Sequence, residues 1–270
     1  MKTAINIFPN LPESEMIPMI ANAGFDGCFW GAQKGKTVKD AAKLISDHGL
    51  IFQSVHAPFG KCNKLWEEGE EGDLFLSELI DWARQTADAN VPIIVNHVWI
   101  SFVDPHPNQI GIDRFGKLLA EAEKLGVTIA FENTEGEEYL EHIQKHLWSS
   151  PAAGFCIDTG HEMCYNRSQD MIGKYGDKLV CTHLNDNLGI TTEKIFWHDD
   201  AHLFPFDGIA DWQGIADRLK KVGYNGILTF ELTDQNKPGR NTHDRYNHLS
   251  MQEKMNLAHE KAVQFAKMMK

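Results

Sequence analysis

The chain alternates short apolar runs with longer segments in which apolar residues recur at helical spacing. Short apolar runs are typical of strands that are buried on both faces, and the longer segments are typical of amphipathic helices. The pattern predicts strands at residues 3–8, 25–30, 51–56, 92–97, 127–132, 154–158, 179–183 and 226–231. It predicts helices at residues 12–23, 37–48, 73–89, 108–125, 137–148, 168–175, 211–222 and about 250–269.

This alternation of strand and helix predicts an α/β fold, a single (β/α)8 TIM barrel domain that spans residues 1–270. No linker, low-complexity tract or solenoid repeat divides the chain. An open, doubly wound sheet is the alternative architecture. The chain has neither a GxGxxG motif after its first strand nor a GxxxxGK[ST] motif, so the usual phosphate-binding loops of such sheets are missing.

Strand after strand ends in a potential metal ligand. The active sites of barrels lie at the rim formed by these strand ends, so we expect the side chains to converge there. Carboxylates and imidazoles together suit Mn²⁺, Co²⁺ or Zn²⁺, and imidazole makes Mg²⁺ less favoured. A single histidine among 13 is as often a surface or hydrogen-bonded residue as a ligand. The residues concerned are His56, His97, Glu132, Asp158, His183 and Glu231.

Three of these carboxylates directly end apolar runs. Glu132 follows residues 127–131, Asp158 follows residues 155–157, and Glu231 follows residues 227–230. A charge in such a place is costly unless it is paired, hydrogen-bonded or coordinated to a metal. The alternatives are solvated strand ends for the two glutamates and a helix cap or turn for Asp158.

A second set of candidates lies in the polar connection at residues 185–207. The alternate spacing of Asp200 and His202 can direct both side chains at a common point. His161, three residues past Asp158, could complete the set. The alternative for this segment is a polar surface loop.

Charge and cysteine content narrow the class of protein. The net charge of -12 and the isoelectric point near 5.5 argue against a nucleic-acid partner, which usually needs a basic surface, and favour a small soluble ligand. The five cysteines are an odd number without CxxC spacing, which predicts reduced, buried thiols. We expect a cytoplasmic protein with no membrane partner, because we find neither a signal segment nor an apolar run of about 20 residues.

The strand-end motifs resemble those of the xylose isomerase-like TIM barrel superfamily, which contains sugar isomerases and epimerases (the sugar phosphate isomerase/epimerase family) together with endonuclease IV. The similarity runs the length of the chain, and it rests on the order and placement of short motifs. These are Phe131-Glu132-Asn133, Cys156-Ile157-Asp158-Thr159-Gly160-His161, Thr182-His183-Leu184-Asn185-Asp186, Asp200-Ala201-His202-Leu203 and Phe230-Glu231.

The resemblance implies two arrangements of divalent metal, Mn, Zn, Co or Mg, and leaves the number of ions open between one and three. In the epimerases, one ion is held by the equivalents of Glu132, Asp158, His183 and Glu231. In endonuclease IV the same four resemble one site of a three-zinc cluster. A second site would then use His56 and His97 with Glu132, and a third would use His161, Asp200 and His202.

The expected activity is that of a metal-dependent isomerase or epimerase of a ketose or a related small carbohydrate. Glu132 and Glu231 would be its catalytic residues, removing a proton on one face and returning it on the other through an enediolate. Acidic segments at residues 66–71, 135–138 and 198–200 disfavour DNA repair. The alternatives are a multi-zinc phosphoesterase like endonuclease IV and a non-catalytic sugar-binding barrel.

Aromatic residues near the rim would supply apolar walls for a substrate. Trp30, Trp99 and Trp197, together with Phe59, are the candidates, and packing in the core or in a lid is the alternative. Lys237, Arg240 and Arg245 form a late basic patch that either contacts the substrate or stays solvated. Barrels commonly pair into symmetric homo-oligomers, but no segment identifies an interface.

Overall fold

The computed structural model describes residues 1–103, 106–191 and 196–270, and within them eight parallel strands form the predicted barrel. Each predicted strand is present, although some are shorter than expected. The strands are β1 (Thr3–Asn6), β2 (Gly27–Gly31), β3 (Ile51–His56), β4 (Ile93–His97), β5 (Thr128–Glu132), β6 (Ala153–Asp158), β7 (Leu179–His183) and β8 (Leu228–Phe230).

Helices surround the barrel and cover the outer face of the strands. They are α1 (Glu13–Ala23), α2 (Val38–Asp47), α3 (Glu70–Asp88), α4 (Gln109–Leu125), α5 (Glu137–Leu147), α6 (Thr159–Cys164), α7 (Met171–Tyr175), α8 (Trp212–Lys221) and α9 (Met251–Met268). Short 3-10 turns lie at Cys62–Trp66, Gly176–Lys178, Phe196–His198 and Asp244–Tyr246. In the part of the chain that is described, no helix combines the length and the apolar character needed to cross a membrane.

The segment after β6 differs from the prediction. A helix was expected from residue 168, but α7 begins at Met171, because Arg167 and Ser168 have φ angles of 54° and 57° that a right-handed helix does not allow. Asp170 caps α7 by accepting a hydrogen bond from the backbone N–H of Gly173 at 2.8 Å. The short helix α6, which directly follows β6, was not predicted.

The barrel closes between β7 and β8 through a short junction. The backbone N–H of Leu184 donates to the carbonyl of Thr229 at 2.9 Å, and that of Glu231 donates to the carbonyl of Leu184 at 3.2 Å. Two residues before Leu184, the Thr182 hydroxyl donates to the carbonyl of Thr229 at 3.1 Å and accepts from its N–H at 2.9 Å. This junction places Glu231 beside the end of β7.

Strand register brings the predicted ligands to one level. His97 pairs with Glu132 between β4 and β5, and Asp158 pairs with His183 between β6 and β7. Because parallel strands all end at the same rim, these side chains lie side by side rather than along the barrel. The strand register therefore places the residues that end successive strands next to one another in a cluster.

Arg114 of α4 ties the β3–α3 connection to the outside of the barrel. Its side chain is 6% exposed, and its Nε donates to the carboxylate of Asp73 at 3.0 Å. The rest of the guanidinium donates to four backbone carbonyls, those of Lys64, Leu65, Glu67 and Gly69. Of these carbonyls, that of Lys64 also accepts from the backbone N–H of Glu67 at 3.3 Å.

We expect Arg114→Ala to lower the free energy of unfolding by about 3 kcal/mol, because several buried acceptors lose a charged donor. The midpoint of urea denaturation measures this loss. Arg84→Ala is the matched control, since Arg84 is 53% exposed and pairs with Glu121 at 3.5 Å. It should change stability by less than about 0.5 kcal/mol. Equal midpoints for the two variants would contradict the anchoring role.

Candidate functional site

The predicted ligands meet at the carboxyl ends of the strands. The side chains of Glu132, Asp158 and His183 are fully buried, and that of Glu231 is 22% exposed. One donor atom from each of these four residues lies within 4.8 Å of the others. The structure therefore brings together all four residues of the first predicted ligand set.

Glu132 is the centre of this cluster. Its Oε1 lies 2.8 Å from Nδ1 of His183, and its Oε2 lies 3.0 Å from Nε2 of His97 and 3.3 Å from Nε2 of His56. Burial favours the neutral acid, but the imidazoles of His183 and His97 outweigh it and hold the pKa of Glu132 well below its usual value. Glu132 is an ionised, buried carboxylate, so the solvated strand end considered for it is wrong.

Asp158 has two roles. One oxygen, Oδ1, accepts from the backbone N–H of His161 at 2.7 Å and so caps α6, which confirms the helix-cap alternative. Both oxygens also accept from Nδ2 of Asn185, at 3.2 and 3.0 Å. Burial raises the pKa of Asp158 to about 6. A Cβ atom at Gly160 would lie 2.2 Å from Oδ1 of Asn185, so glycine is needed for this close approach.

The second candidate set also converges. Nδ1 of His161 donates to the carbonyl of Asn133 at 2.9 Å, and Nδ1 of His202 donates to the carbonyl of Glu231 at 3.1 Å. Because a carbonyl can only accept, each Nδ1 carries the hydrogen and each Nε2 is left for another partner. The two Nε2 atoms face Oδ2 of Asp200 at 3.5 and 2.9 Å.

Asp200 compensates the charge of this second set. Burial lowers the pKa of His202, but the adjacent Asp200 carboxylate outweighs burial and raises it to about 9. Asp200 itself has a pKa well below its usual value because His202 and His161 outweigh the effect of burial. The hydroxyl of Tyr165 donates to the same carboxylate at 3.0 Å. The polar surface loop considered for residues 200–202 is wrong, since Asp200 is 2% exposed.

The first cluster fits a divalent cation. Within the described residues, no lysine or arginine nitrogen lies within 4.0 Å of the carboxylates of Glu132, Asp158 or Glu231. The charge of these three carboxylates is opposed by imidazoles alone, so a bound cation would add the compensation that no lysine or arginine supplies. Their oxygen and nitrogen donors suit Mn²⁺, Co²⁺ or Zn²⁺.

Among the other groups whose donors lie within 4.8 Å of one another, two correspond to the additional predicted sites. One consists of His56, His97 and Glu132, and the other consists of Asp158, His161 and His202. In His56, Nδ1 donates to the carbonyl of Ala57 at 2.9 Å, which leaves Nε2 directed at Glu132. A histidine that is fixed through one nitrogen and open at the other is the usual form of a metal ligand.

Two adjoining cavities open above the cluster, and they share His56, Phe59 and Glu231. The larger cavity, of about 410 Å³, is also lined by Trp197, which is 44% exposed. The smaller cavity, of about 290 Å³, has Trp30 in its wall. Both are large enough for a small molecule rather than a polymer.

The aromatic candidates lie in different surroundings. Trp30 is 1% exposed, donates to Glu13 at 2.5 Å and packs edge-on against Trp82 in the core. Trp99 is 8% exposed, stacks on Tyr139 at 4.2 Å and lines neither cavity. Of the three tryptophans, Trp197 is therefore the most exposed at the mouth of the barrel.

Several residues at the site were given no role from the sequence. Phe29 stacks on His183 at 4.6 Å, and the alternation of side chains along β2 could have shown that Phe29 faces inward when Trp30 faces outward. Glu135 lines the larger cavity three residues after Glu132, and burial raises its pKa. Asn185 was visible within a strand-end motif but was not recognised as the partner of Asp158.

The late basic patch divides into structural and cavity-facing residues. Arg240 donates to Asp199 at 2.8 Å, and Arg245 donates to the carbonyl of Asp207 at 2.5 Å. Lys237 lines the larger cavity, and its Nζ lies 4.0 Å from Oδ2 of Asp200. Of the three, Lys237 is the residue that faces the site.

Two curated relatives match most of the chain. Uncharacterized protein y4fM of Sinorhizobium fredii is 27% identical over 256 residues, which cover 80% of this chain and 79% of the relative. Uncharacterized protein MJ1311 of Methanocaldococcus jannaschii is 23% identical over 255 residues, which cover 86% of this chain and 83% of the relative.

Solved structures share the fold at low sequence identity. A D-tagatose 3-epimerase-like protein has a TM-score of 0.77 at 19% identity, covering 100% of this chain and 98% of that chain. D-psicose 3-epimerase from Clostridium cellulolyticum H10, solved with D-tagatose, has a TM-score of 0.75 at 15% identity and covers 100% of both chains. The 3-keto-D-glucoside 4-epimerase YcjR from E. coli has a TM-score of 0.68 at 16% identity and covers 99% of both chains.

The family model described as xylose isomerase-like TIM barrel matches residues 17–252. This range includes every strand from β2 to β8 and all of the strand-end residues described above. Together with the closed barrel and its order of strands, the match shows that this chain belongs to the xylose isomerase-like TIM barrel family.

Proposed function

We propose that this protein is a divalent-metal-dependent isomerase or epimerase of a ketose or a related small carbohydrate. The observation that carries the proposal is the meeting of donors from Glu132, Asp158, His183 and Glu231 within 4.8 Å below a cavity of about 410 Å³. The structural neighbours named as sugar epimerases support a sugar isomerase or epimerase activity. The dependence on a divalent metal and the mechanism of proton transfer are part of this proposal.

Glu132, Asp158, His183 and Glu231 would hold the ion. When bound, a divalent cation supplies Lewis acidity, which polarises a substrate carbonyl and makes the neighbouring C–H bond more acidic. Asn185 fixes the orientation of Asp158, and Phe29 stacks on the ring of His183. These contacts hold the donors in place before a substrate arrives, which reduces the reorganisation needed during the reaction.

Glu132 and Glu231 are the candidates for proton transfer. They enter from β5 and from the end of β8, so their carboxylates approach the cavity from different sides of the barrel mouth. One carboxylate would take a proton from the substrate carbon, and the other would return a proton to the opposite face, through an enediolate. Such an exchange inverts the configuration at that carbon.

Other side chains at the mouth would hold the substrate. Phe59 and Trp197 are 45% and 44% exposed and offer apolar faces to the carbon side of a sugar. Lys237 can donate to a hydroxyl or another oxygen, and Glu135 can accept from one. Trp30 and Trp99, which the sequence also suggested, would act through packing that supports the walls.

A multi-zinc phosphoesterase is the second candidate function. The observation that favours it is the pair of additional donor groups, His56 with His97 and Glu132, and Asp158 with His161 and His202. The net charge of -12 opposes a duplex DNA substrate, because DNA binding is carried largely by basic contacts to phosphate. The number of metal ions separates this candidate from a one-metal isomerase.

We expect one tightly bound divalent ion per chain in protein that is purified without chelator. Asp200 already neutralises His161 and His202 by direct contact, so that pair does not need a cation. Elemental analysis measures the content, and Asp158→Asn should abolish it, whereas the exposed Asp217→Asn should retain it. Three ions per chain would contradict the one-metal account and favour the phosphoesterase.

Glu132→Gln should lower the rate of ketose epimerisation or isomerisation by about 10² to 10⁴, because a positioned acid or base contributes that much. Turnover of a panel of ketoses by the metal-loaded variant measures the effect. Metal content is determined in the same samples, so that loss of the ion is distinguished from loss of proton transfer. Glu138→Gln, at an exposed position of α5, is the control. Full activity in metal-loaded Glu132→Gln would refute the assignment.

A further inference from the structure

A pair of thiols lies directly beneath the carboxylate cluster. Cys156 of β6 and Cys181 of β7 are register partners on neighbouring strands, and both are fully buried. They pack with Val95 and Ala130 in a small inner layer that is separate from the main core between strands and helices. A buried cysteine is usually no more than a small apolar residue, so a role as a ligand needs independent support.

His183 gives that support. Its Nδ1 faces the carboxylates, at 2.8 Å from Glu132 and 3.2 Å from Glu231. Its Nε2 lies on another side of the ring, is buried, and has the Cys181 thiol as its polar neighbour. A nitrogen of His183 and the sulfurs of Cys156 and Cys181 all lie within 4.8 Å of one another. Because buried polar atoms normally have a partner, this ring nitrogen depends on the thiol pair for one.

Gln53 adds a second polar contact to the thiol pair. The Ser54 hydroxyl donates to Oε1 of Gln53 at 2.5 Å, which orients the amide so that Nε2 donates to Sγ of Cys181 at 3.3 Å. The same thiol lies 3.7 Å from Oε1 of Gln53, to which it can donate. Gln53 is itself 5% exposed, so its amide lies in the interior of the barrel and not at the solvent-exposed surface.

We propose that Cys156, Cys181 and Nε2 of His183 form a second metal site, which takes a thiophilic cation such as Cd²⁺ or Cu⁺ when that cation is supplied, in addition to the one ion expected in protein purified without chelator. Thiolate ligands select such ions, and metal–sulfur bonds of about 2.3 Å fit donors that lie this close together. On binding, the two thiols lose their protons to solvent and form two metal–sulfur bonds, with no change of oxidation state. The third bond is to the ring nitrogen.

The proposed thiol site shares one ligand with the carboxylate cluster. His183 would face the cluster through Nδ1 and the thiol site through Nε2. When both sites hold a cation, the ring gives up its N–H proton to solvent and bridges them as an imidazolate. The thiol site does not depend on the proposed sugar chemistry, because it follows from the packing of β6 and β7 and from the position of the ring nitrogen beside the thiols. The ligands proposed for the thiol site are thiophilic cations, which would bind inside the barrel.

Cadmium titration of chelator-treated, folded protein tests the site. The ultraviolet charge-transfer band of cadmium thiolate should grow to saturation at one such centre per chain. Cys156→Ser and Cys181→Ser should each remove most of the band. Cys28→Ser is the matched control, since Cys28 is equally buried but packs in the main core, and it should retain the full band. A band that persists in the Cys156→Ser/Cys181→Ser double variant would overturn the proposal.

X-ray absorption on cadmium-loaded wild-type protein gives a test that needs no variant to fold. The proposal predicts a cadmium centre with two sulfur neighbours. Cadmium surrounded by oxygen and nitrogen alone would place the ion only in the carboxylate cluster and would overturn the thiol site. The readout is independent of sugar turnover, so a failure of the proposed isomerase activity leaves this result interpretable, and the reverse also holds.

Discussion

A carboxylate that is removed from water must be compensated by positive charge or by hydrogen bonds, and Glu132 is where this barrel meets that requirement. The side chain is fully buried at the end of β5, and His183, His97 and His56 all direct a ring nitrogen at it. Asp158 and Glu231 add further negative charge close by. The other polar residues of the mouth are arranged around this concentration of charge.

Strand register and barrel closure bring these charged side chains close together. Parallel pairing puts the strand ends at one rim, and the junction at Thr182 and Leu184 places Glu231 beside His183. His183 then lies between two environments, with carboxylates on its Nδ1 side and the buried thiols of Cys156 and Cys181 close to its ring. One imidazole therefore links the surface of the site to the inner layer of the barrel.

The sequence was sufficient for the barrel and for the cluster of strand-end side chains, because each strand is an apolar run and a polar residue at its end can be recognised without knowledge of distant contacts. It was not sufficient for side-chain direction within a strand. Trp30 was proposed as an aromatic residue near the rim, yet it packs mainly against Trp82 in the outer core, while Phe29 stacks on His183. The sequence also left open whether Asp158 is a ligand or a helix cap. Its contact with Asn185 could not be predicted, because the two residues are 27 positions apart in the chain.

The central claim is that the buried carboxylates exchange protons with the carbon of a small carbohydrate. Incubation of the metal-loaded wild-type protein with individual ketoses in D₂O, followed by mass spectrometry of the recovered sugars, tests it most directly. We predict that at least one ketose incorporates solvent deuterium at the carbon next to its carbonyl, together with formation of its epimer or isomer. Binding of a ketose without any deuterium incorporation would contradict the account and indicate a non-catalytic sugar-binding barrel.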